Sequence, residues 1–148
     1  MAVKPIPDEY HSLQPYLVVD GAARLIEFLQ AAFDAEDRGS MPTPDGKIGH
    51  AELQIGDTVV MLADYSTAEG VSAPMPATVV AYVEDADKVY QRALEAGGRS
   101  LREPQDMFYG DRSAGVVDPV GNHWWIHTHI EDVPPEEMIR RAQEQQGS

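Results

Sequence analysis

The chain has no cysteine among its 148 residues, and this absence narrows the chemistry open to it. Disulfides, thiolate metal ligands and a cysteine nucleophile are all excluded. No apolar run approaches the roughly 20 residues that span a bilayer, so no membrane partner is expected. The first residues, MAVKPIPDEYHS, lack the apolar core of a signal peptide. Together these absences favour a cytoplasmic protein.

Positive charge is scarce as well. The chain holds 11 Lys and Arg against 25 Asp and Glu, a formal net charge of −14. Such a charge repels phosphates, so no nucleic-acid partner is expected. It is compatible with a cationic ligand, because a field of one sign attracts the opposite sign, and it also serves solubility. The motifs GxSxG and HExxH and a phosphate-binding glycine loop are missing too.

Two segments of the chain follow one plan of strand, aspartate and amphipathic helix. They are SLQPYLVVDGAARLIEFLQAAFDAE and PATVVAYVEDADKVYQRALEAGGR. Asp20 and Asp85, which lie 65 residues apart, are candidate N-caps, and Gly97-Gly98 is a helix stop. The order of signals therefore indicates an internal duplication.

The same offset continues into two hairpins. LQIGDTVVML (53–62) aligns with DPVGNHWWIH (118–127), and Gly56-Asp57 and Gly121-Asn122 are two-residue turn signals. The predicted fold class is α+β, with tandem β-α-β-β-β repeats in a single domain over residues 1–148. Its parts are repeat one at about 10–66, a linker at about 67–76, repeat two at about 77–133 and a short C-terminal helix at about 134–146.

A tandem β-α-β-β-β repeat with DPVGN in its second half resembles the vicinal oxygen chelate superfamily, of the glyoxalase and bleomycin-resistance type. The stretches PYLVVDGAARLIEF, MPTPDGKIGHAELQIGDTVVMLAD and MFYGDRSAGVVDPVGNHWW are similar to its PhnB-like branch. The resemblance spans roughly residues 10–133 and implies a curled mixed sheet with a cleft. Because such proteins commonly pair repeats within or between chains, a homodimer is expected.

The resemblance also implies where a metal ion would bind. Metal-dependent members hold a divalent ion with His, Glu or Gln on the first and last strands of each repeat. The equivalent positions here are Leu13, Val60, Thr78 and Trp125. None of these residues supplies an imidazole or a carboxylate, so the usual metal site is predicted to be absent and no cofactor is expected.

A rebuilt metal site is the alternative, with His127, His50 and Glu52 as ligands. The hairpin at Gly56-Asp57 argues against it. A two-residue turn pairs Leu53 with Val60, which would turn Leu53 toward the cleft and point His50 and Glu52 to the opposite face. A bulge would reverse this assignment.

The stretch NHWWIHTH (122–129) holds both tryptophans and three of the five histidines. Because side chains alternate on a strand, His123, Trp125 and His127 share one face, and Trp124 belongs to the core. Trp125 could stack on a ring or a cation, or could itself be core. His127 and His123 could hydrogen-bond a ligand. The predicted ligand-binding wall therefore contains these three residues with Val60, Thr78 and Leu13.

The loop DMFYGDRSAG (106–115) supplies two further candidates, Tyr109 and Arg112. Arg112 could bind a carboxylate or another oxyanion in a bidentate manner. The favoured alternative is structural, with Arg112 contacting Asp111 or loop carbonyls.

Two functions stay open at this stage. The favoured one is a metal-free protein that binds a small organic ligand, sequestering an aromatic or cationic compound as drug-resistance binding proteins do. The other is a glyoxalase- or dioxygenase-like enzyme, using either a non-standard histidine metal site or His127 as a general base. Replacement of the ligand positions by residues such as Trp125 favours binding. The sequence does not name the ligand.

Overall fold

Each half of the chain folds into one β-α-β-β-β module. The computed structural model describes residues 3–66 and 73–147, so positions 67–72 of the predicted linker lie outside the described residues. The first module consists of β1 Tyr16–Val19, α1 Ala22–Phe33, β2 Glu36–Pro42, β3 Ile48–Ile55 and β4 Thr58–Asp64. The second consists of β5 Thr78–Tyr82, α2 Ala86–Glu95, β6 Arg99–Asp106, β7 Asp111–Val117 and β8 His123–His129, and helix α3 Pro135–Gln146 follows it.

The strands form two four-stranded mixed sheets, in the orders β1-β4-β3-β2 and β5-β8-β7-β6. In both sheets the first and last strands of the module pair in parallel, and the remaining pairs are antiparallel. The α+β fold class and the short C-terminal helix are therefore confirmed. No helix among residues 3–66 and 73–147 is long and apolar enough to cross a membrane.

The two helices share one core that lies between the sheets. Helix α1 packs on β3 and β4, helix α2 packs on β6, β7 and β8, and the helices pack on each other. One buried cluster joins residues of the first sheet, such as Leu53, to Trp124 and Ile126 of the second. The opposite side of each sheet, which neither α1 nor α2 covers, is called its open face. The first open face carries Tyr16, His50, Glu52 and Met61, and the second carries Tyr82, Arg102, Ser113, Gly115, Trp125 and His127.

The modules repeat with an offset of 64 residues, so the predicted offset of 65 is wrong. The helices begin at Ala22 and Ala86. The amide of Ala22 donates to Asp64 Oδ1 at 2.9 Å, and the amide of Ala86 donates to Thr128 Oγ1 at 2.8 Å. The end of the last strand thus holds the start of the helix in both modules.

The two hairpin loops explain the error. Ile55 pairs with Thr58 across the predicted two-residue turn, but Val117 pairs with His123, which leaves five residues, 118–122, in the second loop. The buried carboxylate of Asp118 organises this loop. It accepts hydrogen bonds of 2.8–3.0 Å from the backbone N–H groups of Val120 and Asn122, from Asn122 Nδ2 and from Trp124 Nε1. A Gly-Asn pair inside such a loop is not a two-residue turn.

The N-cap prediction is confirmed for α2 and wrong for α1. Asp85 accepts from the amide of Lys88 at 3.1 Å. Helix α1 instead begins after Gly21, at φ 113°, and Asp64 accepts from the amides of Gly21, Ala22 and Ile48 at 2.9–3.0 Å. Burial raises the pKa of Asp64, but these three hydrogen bonds together lower it by more than burial raises it. The pKa of Asp64 therefore lies below its ordinary value. The predicted stop at Gly97-Gly98 is also confirmed, since α2 ends at Glu95.

Candidate functional site

The structure brings part of the predicted ligand-binding wall together and separates the rest. Thr78, His123, Trp125 and His127 share the open face of the second sheet. Tyr109, in the loop before β7, stacks on His127 with ring centroids 6.2 Å apart. The other three predicted residues lie elsewhere: Val60 in the core, Leu13 before β1 and Arg112 on the helix side of its sheet.

The predicted faces of the first sheet are inverted. Leu53 does pair with Val60, as the two-residue turn predicts. Both side chains, however, belong to the buried core, and His50 and Glu52 lie on the open face. The predicted offset of 65 matches Val60 to Trp125, whereas the observed offset of 64 matches Val60 to the core residue Trp124. A shift of one residue moves every side chain of a strand to the other face.

A chain of polar groups lies on the first open face. Glu52 accepts from the Tyr10 hydroxyl, and its Oε2 lies 2.8 Å from His50 Nε2. The other ring nitrogen of His50 lies 3.1 Å from the Tyr16 hydroxyl. The hydrogen bonds from Tyr10 and His50 lower the pKa of Glu52. Within the described ranges no three His, Asp or Glu side chains form a group that could hold a metal ion, so His50 and Glu52 do not meet His127 within one chain.

A buried carboxylate organises the second open face. Asp111 is 3% exposed and accepts from the Tyr82 hydroxyl at 2.7 Å, and it lies 3.1 Å from His127 Nδ1 and 2.8 Å from His129 Nδ1. Burial raises the pKa of Asp111. The hydrogen bonds from His129, Tyr82 and His127 lower it by more, so the pKa lies below its ordinary value. The hydrogen bond that the Tyr82 hydroxyl donates to Asp111 raises the pKa of Tyr82.

The contact with Asp111 sets the role of His127. Because an ionised carboxylate only accepts hydrogen bonds, Nδ1 of His127 carries the proton in this arrangement, and Nε2 is left as an acceptor in the neutral ring. Nε2 makes no hydrogen bond with the residues that the structure describes. A carboxylate-oriented imidazole of this kind can accept a hydrogen bond or a proton from a ligand.

Trp125 lies across its neighbouring strand because residue 115 has no side chain. Gly115 stands opposite Trp125 in the sheet, and a Cβ atom there would come within 2.3 Å of the ring atom Cζ3. The guanidinium of Arg102 stands over the indole, 4.9 Å from the ring centroid, and its Nη2 donates to Ser113 Oγ at 2.5 Å. The half-buried indole is therefore packed between Gly115 and Arg102, outside the main core.

Arg112 takes a structural position, with partners that differ from the predicted ones. Its Nε and Nη2 donate to the Asp87 carboxylate at 2.6 and 2.9 Å, and its Nη1 donates to Asp106 at 2.9 Å. These bonds raise the pKa of Arg112. Asp111, the predicted partner, lies on the opposite face of β7. Arg112 thus ties β7 to the first turn of α2 and is separated from Trp125.

Sequence reasoning missed Tyr82, Arg102, Asp111 and Ser113 as members of this face. Tyr82 pairs with His127 across the parallel β5–β8 ladder, and Ser113 pairs with His127 from the other side. Alternation could have grouped Asp111 with Ser113, but only the register between strands shows that both adjoin His127. Strand β6 has register shifts on both sides of Arg102, which hide its orientation from any period-two pattern.

A groove of about 1390 Å³ between the modules is a second place where a ligand could bind. Its apolar lining includes Phe33, Val60, Val79, Val89 and Trp124. Of the charged groups along it, Arg92 pairs with Asp34 at 3.0 Å. The open face of the second sheet differs in that an aromatic ring, a guanidinium and an oriented imidazole converge there, which is the usual make-up of a specific ligand site.

We predict that Gly115→Ala displaces Trp125, because the added methyl group would overlap the indole. Overpacking of this kind should lower the free energy of unfolding by about 1–3 kcal/mol, measured by chemical denaturation. In a Trp125→Ala background the same substitution should cost much less, because the overlapping ring is gone. An equal cost in both backgrounds would show that Gly115 does not support Trp125.

Residues 11–126 match the family model described as the Glyoxalase/Bleomycin resistance protein/Dioxygenase superfamily. The chain is 39% identical over 144 residues to Uncharacterized protein Mb0911c of Mycobacterium bovis, covering 92% of this chain and 94% of that protein. It is equally similar to Uncharacterized protein Rv0887c of Mycobacterium tuberculosis, covering 84% of that protein.

Two solved structures show the same fold. TioX from Micromonospora sp. ML1 superposes with a TM-score of 0.65 at 25% identity, over 80% of this chain and 100% of that one. The fosfomycin resistance protein FosX from Mesorhizobium loti superposes with a TM-score of 0.59 at 17% identity, over 87% of this chain and 97% of that one.

Proposed function

Because this chain belongs to the Glyoxalase/Bleomycin resistance protein/Dioxygenase superfamily, we propose that it binds a small organic molecule, without a metal ion, on the open face of its second sheet. One observation carries the proposal: the Trp125 ring, the Arg102 guanidinium and the Asp111-oriented imidazole of His127 converge there. A fixed aromatic wall with a few polar groups suits an aromatic ligand. Sequestration of such a compound is the proposed role. Membership of the PhnB-like branch stays a prediction.

Binding without a metal ion is proposed from the chemistry of the donors. His127 directs one ring nitrogen to Asp111, and His50 and Glu52 bond to each other on the other sheet. Trp125 and Thr78, at two of the implied ligand positions, offer no imidazole or carboxylate. The Nε2 atom of His127 is unbonded, but His50 and Glu52 lie on the other sheet, so the three residues do not form one ligand set among the described residues of a single chain.

The proposal includes a homodimer. The two open faces lie on the outer sides of the shared core, so they do not enclose a cup within one chain. On β5, at the edge of the second sheet, Val80 is 55% and Tyr82 64% exposed. A second copy that packs against this edge of the sheet would bury these side chains and help to enclose the second open face. Light scattering should give twice the 16.3 kDa chain mass, and a stable single-chain mass would contradict the dimer.

The two tryptophans allow a direct test of ligand binding. Trp125 lies on the open face and Trp124 lines the groove between the modules, so their indole N–H resonances report on different sites. Titration with a panel of aromatic acids, amides and amines should shift the Trp125 resonance saturably and leave that of Trp124 in place. Pretreatment with a chelator should not alter the affinity.

Trp125→Ala should weaken the binding of every panel compound that binds the wild type by roughly 10-fold or more, because the aromatic contact is removed. Trp125→Phe, which keeps an aromatic ring, is the matched control and should retain most of the affinity. A shift of Trp124 alone would move the site to the groove. Unchanged affinity in Trp125→Ala would remove Trp125 from the site.

Catalysis by His127 is the second candidate, and the Asp111–His127 contact is the observation that favours it. An imidazole held by a carboxylate can act as a general base. If a bound panel compound is converted, His127→Gln should slow its conversion by about 10²–10⁴-fold while leaving its affinity within a small factor. NMR spectra of the ligand over time make the measurement. Binding with no conversion by the wild type would leave binding as the only function of this face.

A further inference from the structure

Arg102 brings a positive charge to the second open face, and no carboxylate of the described residues neutralises it. Five other arginines pair with acids: Arg38, Arg92, Arg112, Arg140 and Arg141. Arg24 and Arg99 form no ion pair among the described residues, but neither stands over the Trp125 ring. Arg102 forms none within residues 3–66 and 73–147, although the chain carries 25 acidic residues. Its partners are the Trp125 ring and the neutral hydroxyl of Ser113.

Most of the hydrogen-bonding capacity of Arg102 is unused. A guanidinium has five N–H donors in a planar fork, and here Nη2 donates to Ser113. Nε is buried and finds no acceptor in the described part of the chain, which is unfavourable for a polar group. Nη1 also has no acceptor among the described residues, but it is not buried. The terminal nitrogens are therefore the donors that a ligand could reach.

The neighbours of Arg102 suit an acceptor rather than a donor. Ser113 stands directly opposite His127, so the side chains of Arg102, Ser113 and His127 form a row across β6, β7 and β8. The nearby acid, Asp111, already accepts from Tyr82 and contacts His127 and His129. The Asp111 carboxylate is thus engaged by three side chains other than Arg102.

We propose that the ligand of this face carries a carboxylate, which binds the terminal nitrogens of Arg102 while its apolar part contacts Trp125. This inference rests on the proposed binding function and narrows its ligand class. A planar carboxylate matches the planar guanidinium and accepts two parallel hydrogen bonds. A cationic ligand would have to displace Arg102 from the indole and would meet its charge. The acidic net charge therefore does not determine the ligand at this site.

Benzoate and benzamide form a matched pair of probes, because they share the ring and the planar head group and differ in charge. Saturable shifts of the Trp125 indole resonance give the dissociation constant of each compound. Benzoate should bind roughly 10- to 100-fold more tightly than benzamide, as expected for charge-assisted hydrogen bonds. Arg102→Gln should remove this preference.

Arg99→Gln is the control variant. It removes the same charge from the same strand, but Arg99 is an exposed residue at the start of β6 and does not contact Trp125. It should leave benzoate affinity within a small factor. The Trp124 resonance, held by its bond to Asp118, verifies that each variant is folded.

The outcomes separate the two proposals. If benzamide or the aromatic amines shift Trp125 and benzoate does not, the binding function stands and the carboxylate inference is wrong. Benzoate affinity that is unchanged in Arg102→Gln would also overturn it. If no member of the panel shifts Trp125, the binding function itself fails and the inference fails with it.

Discussion

The alternation of side chains on each strand is the constraint on which every other feature of this molecule depends. In each sheet, alternate side chains of a strand point into the core and the others lie on the open face. In both modules a side chain near the end of the last strand accepts a hydrogen bond from the first amide of the helix: Asp64 accepts from Ala22, and Thr128 accepts from Ala86. These two bonds link the position of each helix to the position of its sheet. Trp124 therefore meets the core and Trp125 the open face.

The open face of the second sheet is supported by groups that do not themselves face a ligand. Gly115 leaves the space in which the Trp125 ring lies, and Asp111 fixes the direction of the His127 ring. The Asp118 carboxylate, on the far side of the sheet, holds Trp124 and the loop that leads into β8. Ligand-facing groups supported in this way are pre-organised, so less free energy is spent in ordering them on binding.

Much of the fold follows from patterns in the sequence. The duplicated strand and helix signals, the Gly56-Asp57 turn and the Asp85 cap all predict what the structure contains. The failures come from loops, because Gly121-Asn122 lies in a five-residue loop whose length only the Asp118 bonds explain. Aligning the two Gly-containing turns with each other gives an offset that is one residue too long. That error of one residue places Val60 in the predicted cleft instead of the core.

The candidate site was harder to predict than the fold, for a physical reason. Residues of one strand, such as His123, Trp125 and His127, can be grouped by alternation alone. Arg102 and Tyr82 reach the same face from other strands, and register between strands depends on bulges and loop lengths that local patterns do not encode. Arg112 illustrates the converse, since its charge suits a ligand but its bonds to Asp87 and Asp106 tie β7 to α2 and β6.

The duplication has a consequence for how such a protein can change over generations. Core and open-face positions alternate along every strand, so a substitution on an open face need not disturb the core beside it. The two open faces already differ, one holding Tyr10, His50 and Glu52 and the other Arg102, Trp125 and His127, above one shared core. Each half therefore offers a surface whose residues can be substituted to bind a different ligand. The buried residues that alternate with them keep the fold of both halves.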